Sequence, residues 1–185
     1  MKNRTFWIWV GVIAALFLIL MLWGCQRKGS SSKAPSPEQI SASVARPFDA
    51  KATIRLKDLV MTADVNKTNT DAVTIAINEP KTLSGMKFIY DGKDITVSYL
   101  GLSLKLDENS KLVSSAASVI INALNKAASP SGIDVKMDEG ALLVSGKSDD
   151  GNFSIKLDKS NGSIASINLP ELDFTCNFDD FIFRK

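Results

Sequence analysis

From residue 50 to the end of the chain, apolar and polar side chains alternate with a period of two, and a single stretch switches to helical spacing. A period of two places every second side chain on the same side of a pleated strand, so it marks strands with one buried face. Residues 51–66 carry Ile54, Leu56, Leu59, Met61 and Val65 in such a pattern. Residues 72–78 set Val73, Ile75 and Ile77 on one face, and Glu79-Pro80 then breaks the strand because proline has no N–H to give to a ladder. Residues 83–90 place Met86, Phe88 and Tyr90 on one side. Asp91-Gly92 is a hairpin signal that leads into Ile95, Val97 and Tyr99. Leu100, Leu102, Leu104 and Leu106 alternate with Gly101, Ser103, Lys105 and Asp107, and the parity shift at Tyr99-Leu100-Gly101 predicts a bulge or bend.

The helical stretch is 110–128. Leu112, Val113, Ala116, Ala117, Ile120, Ile121, Leu124, Ala127 and Ala128 recur there at three- and four-residue steps, opposite a face of serine, asparagine and lysine. Pro130 and Gly132 end it. Strands resume at 133–137, 141–147, 153–158 and 163–169, and a last one runs near 172–183 after Pro170, with short polar turns between them. A shorter helix is predicted over about 37–46, because Ser36 is an N-cap, Pro37 suits the first helical position and Gln39 stands three after the cap.

These elements predict an α+β fold, a curved antiparallel β-sheet of about eight to ten strands forming a half-barrel. The one long amphipathic helix is expected to pack on the concave face, covering the apolar side of the sheet.

The N-terminal end has a different character. Met1-Lys2-Asn3-Arg4 is basic, Phe6 to Trp23 is almost wholly apolar, and Gly24 precedes Cys25. That order reads as a secretory signal over 1–24 with a small residue at the cut site. A cysteine directly after the cut resembles the bacterial lipobox, which implies acylation of Cys25 with palmitate-type chains and a membrane anchor on the extracytoplasmic face. An uncleaved signal anchor is the alternative, since the run approaches the ~20 residues that span a bilayer. Residues 25–37 then form the lipidated cysteine and a flexible tether rich in serine and proline, and 38–185 the folded domain.

Charge narrows the function. The chain has 22 basic and 20 acidic residues; removing 1–24 takes Lys2 and Arg4 and no acid, leaving 20 of each. A neutral domain lacks the basic stripe of a nucleic-acid binder, so no nucleic-acid partner is expected. The absence of histidine excludes Ser-His-Asp and Cys-His sites, and with only two cysteines no metal and no cofactor is expected. Cys176 shares a strand face with Phe174 and Phe178 and reads as a small buried hydrophobe.

The acidic pairs fit structural roles. Asp107-Glu108, Asp138-Glu139 and Asp149-Asp150 fall in turns or at a helix start, and Asp179-Asp180 reads as a break in the final strand. A calcium site from Asp149, Asp150 and Asn152 lacks the length and terminal glutamate of an EF-hand loop. The chain is therefore expected not to be an enzyme.

Ile77-Asn78-Glu79-Pro80, followed by Met86 to Tyr99 with Asp91-Gly92 at its centre, resembles the strand–Pro–strand–Asp-Gly–strand unit of the LolA/LolB/LppX-like superfamily of envelope half-barrels. The resemblance extends as a pattern over about 48–183. It implies an interior that takes acyl chains, or, as in the clostridial germination-lipoprotein branch, a surface that binds a cell-wall amidase. A functional arginine of the carriers finds only Arg55 in the first strand, and alternation with Ile54 and Leu56 turns Arg55 to solvent.

Two functions stay open at this point. In one, Ile75, Ile77, Phe88, Tyr90, Val97, Leu102, Leu104, Phe174 and Phe178 line an apolar cavity or core closed by Ile120, Ile121 and Leu124, and the cavity binds lipid or acyl chains. In the other the core is solid, and the protein is a non-catalytic adaptor that binds and regulates an envelope or cell-wall enzyme.

Overall fold

The computed structural model describes residues 35–68, 72–106, 116–138 and 140–184. The chain begins with helix α1 (Pro37–Ala45), then runs through β1 (Phe48–Leu56), β2 (Leu59–Lys67), β3 (Ala72–Glu79), β4 (Lys87–Asp91), β5 (Ile95–Tyr99) and β6 (Leu102–Leu106). Helix α2 (Ala116–Ala127) follows, then β7 (Ile133–Asp138), β8 (Ala141–Ser148), β9 (Gly151–Asp158), β10 (Ile164–Leu169) and β11 (Phe174–Phe183). All eleven strands form one open antiparallel sheet in the order β6-β5-β4-β3-β2-β1-β11-β10-β9-β8-β7. Two meanders, β1–β6 and β7–β11, thus meet where the first strand pairs with the last, Ala52 opposite Phe178 and Ile54 opposite Cys176.

The α+β class and the open antiparallel sheet agree with the sequence pattern, and the short helix lies where Ser36 and Pro37 predict it. Of the long helix expected over 110–128, the described part is Ala116–Ala127; residues 107–115 lie outside the described residues. Two details differ from the expectation. The parity shift at Tyr99-Leu100-Gly101 is neither bulge nor bend but a two-residue hairpin turn, with φ of +50° at Leu100 and +81° at Gly101. Such a turn needs positive φ at both central residues, which Gly101 meets without steric cost. It sets Tyr99 directly opposite Leu102, so the two share a face although three positions separate them. At the C-terminal end, Asp180 at φ +50° does not break β11 but bulges it, shifting the register between Asp49 and Lys51 of β1.

Each strand buries alternate side chains, and these join the helices in one apolar cluster. On α2, Val119, Ile120, Ala123, Leu124 and Ala127 are wholly buried, and on α1 Ile40 and Val44 are nearly so. The capping box predicted for α1 is complete: Gln39 N donates to Ser36 Oγ at 3.4 Å and Ser36 N to Gln39 Oε1 at 3.1 Å. Ser36→Ala should destabilise the domain by about 1 kcal/mol, read as a lower urea midpoint at unchanged slope.

The outer end of α1 is fixed by a residue that periodicity does not flag. Lys67 closes β2, is wholly buried, and donates from Nζ to the Ala45 carbonyl at 2.6 Å. A cation at the last turn satisfies one of the carbonyls a helix leaves unpaired and complements its negative end. Nearby, Phe48 stacks on Phe181 at 4.5 Å, and the Arg46 guanidinium lies 3.7 Å from the Phe183 ring centre. Arg184 grips Asp49 with two bonds of 2.6 and 2.7 Å.

Carboxylates held by hydrogen bonds and by ion pairs, the latter Asp49 with Arg184 and Asp180 with Lys51, shape the acid response. The Arg184 guanidinium holds the Asp49 carboxyl below the usual carboxylate range, and Lys51 does the same for Asp180. A depressed carboxylate contributes stability above its unfolded-state pKa and loses it as pH falls through the folded value. With no histidine to titrate near neutrality, the melting temperature should be flat from about pH 5.5 to 8 and decline below about pH 4. A transition centred near pH 6.5 would contradict this.

Candidate functional site

Where the inner face of β1–β4 approaches the start of α2, the core does not close. A cleft of about 190 Å3 remains, lined by Ile54, Leu56, Leu59, Met61, Ile75, Ile77, Leu83, Met86, Phe88, Ala116 and Ala117. Every lining residue among the described ones is apolar. Strand register builds the floor: Ile54 stands opposite Met61, Leu56 opposite Leu59, and Ile75 opposite Phe88. Antiparallel partners lie about 4.5–5.5 Å apart on the same face, so these pairs form continuous apolar rows.

The segment Pro80–Met86 makes one wall. Gly85 N donates to the Ile77 carbonyl at 3.0 Å, and Ile77 N to the Met86 carbonyl at 2.9 Å, which folds the segment back over the end of β3. Tyr99 Oη donates to the Thr82 carbonyl at 2.9 Å and ties the same loop to β5. Leu83 and Met86 are left half-buried and face the cleft. On the other wall, the small side chains of Ala116 and Ala117 leave space that larger residues would fill.

Three of the residues expected in a cavity line this cleft: Ile75, Ile77 and Phe88. Ile120, Ile121, Leu124, Phe174 and Phe178 are buried, but they pack in the solid core away from it. Tyr90 and Val97 are half-buried, and Tyr90 Oη donates to the Gly92 carbonyl at 2.9 Å. Leu102 and Leu104 depart from the expectation of an interior position, being 78% and 62% exposed, because β6 is the sheet's outermost strand. Leu56, Leu59, Met61, Leu83, Met86 and the two alanines line the cleft without having been expected there. Their signal was present in the hairpin register of β1 and β2, which carries the parity of Ile54 onto Met61.

Other depressions are less suited to a ligand. One of about 630 Å3 beside Gly132, Gly146, Phe153 and Pro170 is larger but shallow and open. A polar one lies between Asn122, Asn125 and Lys126 of α2 and Asp149. Of the acidic turns, Asp107-Glu108 and Glu139 lie outside the described residues; elsewhere Asp150 accepts from Asn122 Nδ2 at 2.7 Å, and Asn152 Nδ2 donates to Glu171 Oε1 at 2.7 Å. Asp91 Oδ1 accepts the backbone N–H groups of Lys93 and Asp94, and these bonds lower its pKa. Cys176 is buried, and burial pushes its thiol far above the ordinary range, so it stays protonated and inert. Arg55 is exposed, as its alternation predicted. Cys25 and the apolar run before it lie outside the described residues.

The fold and cleft define a class, an open-sheet α+β module with a pocket whose described lining is apolar. No family model and no curated protein matches the chain. Among solved structures it resembles an uncharacterized conserved protein from Thermus thermophilus, with a TM-score of 0.51 at 10% identity over 80% of this chain and 84% of that one. It also resembles a LolA superfamily protein from Nitrosomonas europaea, with a TM-score of 0.46 at 10% identity over 82% and 95%. A third likeness is to the CwlD amidase from Clostridioides difficile in complex with the GerS lipoprotein, with a TM-score of 0.48 at 16% identity over 74% and 86%. At such identities likeness speaks to the fold alone, and function has to be argued from the site.

Proposed function

We propose that this chain is an extracytoplasmic, membrane-anchored lipoprotein whose domain binds the end of a lipid acyl chain in the cleft between β1–β4 and α2. The observation that carries the reading is the cleft's lining: among the described residues it is eleven apolar side chains and no polar one. A site of that kind cannot orient a polar substrate, which needs a few placed donors or acceptors. It can take hydrocarbon: a dry apolar cavity of about 150 Å3 already binds benzene. At about 190 Å3 it is smaller than the roughly 300–1,000 Å3 of sites that enclose a whole small ligand, so it fits a chain end and leaves the headgroup in water. Anchoring through Cys25, with 1–24 removed and 25–37 as tether, would hold the cleft within reach of a bilayer. Twelve extended residues reach roughly 40 Å. No chemistry is assigned to the site, and the protein is read as non-catalytic.

The test is competition. A naphthalene-sulfonate dye should gain fluorescence on the protein, and a sixteen-carbon fatty acid should displace it with a one-to-one end point. A four-carbon acid, too short to fill the cleft, should compete at least tenfold more weakly. Displacement that is equal for both, or none, would count against the proposal.

A second reading has its own support, because outside this cleft the described core is closed around Ile120, Leu124 and Phe174. A solid core with a small cleft would also serve a non-catalytic adaptor for an envelope or cell-wall enzyme. In that case the dye would bind weakly, and a protein would co-purify at fixed stoichiometry.

A further inference from the structure

The two edges of the sheet are unlike. At the β7 edge, Asp134 and Lys136 are exposed and pair with each other at 2.9 Å, a charged pattern that discourages another strand from docking. Among the described residues the β6 edge has no such protection. Leu102 and Leu104 are 78% and 62% exposed, Leu100 in the preceding turn is 82% exposed, and neither proline nor a bulge interrupts the strand. Its one charge, Lys105, is held by Asp94 at 2.6 Å. Among the described residues β6 pairs with β5 alone, so its outer backbone groups form a template that only another strand can match along its length.

The side chains favour one kind of strand. An antiparallel β6 from another molecule, centred on Leu104, would set Leu104 against Leu104, Leu102 against Leu106 and Ser103 against Lys105. Every apolar residue then meets an apolar one, and no like charges face each other, which would be destabilising. Register also places Leu104 opposite Val97, and Val97 opposite Phe88 at the cleft. The pairing would therefore join the apolar faces of two molecules into one surface. We infer that β6 is a self-association edge, and that two copies of this chain pair through it, antiparallel and two-fold symmetric, with Leu104 on the axis. Five residues make a short seam, so the dimer forms only at raised local concentration.

Directly opposite residues across an antiparallel pair have Cα atoms within disulfide range. The full chain carrying Leu104→Cys, oxidised in intact cells, should run as a covalent dimer on a non-reducing gel. Asn177→Cys, exposed in mid-sheet, should not, and neither should the unaltered chain. Adding Leu102→Lys to Leu104→Cys should cut the dimer at least tenfold while leaving far-ultraviolet circular dichroism unchanged. Equal cross-linking at 104 and 177 would overturn the inference. So would cross-linking at 104 that ignores Leu102→Lys, or that captures a different protein in place of a second copy.

Discussion

Met86→Glu should weaken acyl binding at least tenfold while leaving the domain folded. Met86 is half-buried at the wall of the cleft, so its replacement can keep a new carboxylate wet when the cleft is empty. When a hydrocarbon chain enters, that carboxylate must shed its water with no donor nearby to replace it. Unpaired polar burial costs about 1–3 kcal/mol on the scale of protein substitutions, and a charge costs more. Fatty-acid affinity should therefore fall at least tenfold, about 1.4 kcal/mol, with a melting temperature within a few degrees of the parent. Leu83→Glu should act in the same way from the same loop. A variant that melts normally and binds as before would place the ligand elsewhere.

Leu124→Ala should strongly destabilise the fold. Leu124 is wholly buried in α2, in the same apolar cluster as Ile120 and Val119, and does not line the cleft, so no ligand shares the loss. Removing its side chain loses the transfer energy of the deleted carbons and leaves a cavity, together about 2–5 kcal/mol. For a chain of this size each kcal/mol moves the melting temperature by about 2–4 °C, so a fall of roughly 5–20 °C is expected. A charged residue at Ile120 or Leu124 would unfold the domain and could not report on ligand binding. Scanning calorimetry of Leu124→Ala beside Met86→Glu should separate the two effects, the first in stability and the second in affinity.

The same contrast shows how far the sequence can be read. Period-two runs located β3 and β5 closely, and Asp91-Gly92 marked the hairpin between β4 and β5, because those signals are local. The spacing of Ala116, Ala117, Ile120, Ile121, Leu124 and Ala127 likewise identified the helix and most of its buried face, but not Val119, nor Ser118, which was placed on the polar face and is wholly buried. What local pattern could not reveal was lateral position. Leu102 and Leu104 alternate as regularly as Ile75 and Ile77, yet the first pair sits at the sheet's edge and the second well inside it. Strand order decides between them, and that order depends on β1 pairing with β11, a contact between opposite ends of the domain. The cleft was missed for a related reason. It arises because Ala116 and Ala117, the Pro80–Met86 loop and the β1–β2 hairpin converge without filling the space, and volume left over is not a property of any one segment. Lys67 escaped notice because its burial follows from the Ala45 carbonyl of a different element.

The central claim is that the cleft holds an acyl chain. Native mass spectrometry with lipid extraction, on full-length protein purified from membranes, tests it most directly. The account predicts one non-covalent lipid per chain on the parent protein, less than a tenth of that on Met86→Glu, and a covalent acyl mass at Cys25. A folded parent protein that carries no lipid, or carries as much on Met86→Glu, would contradict it.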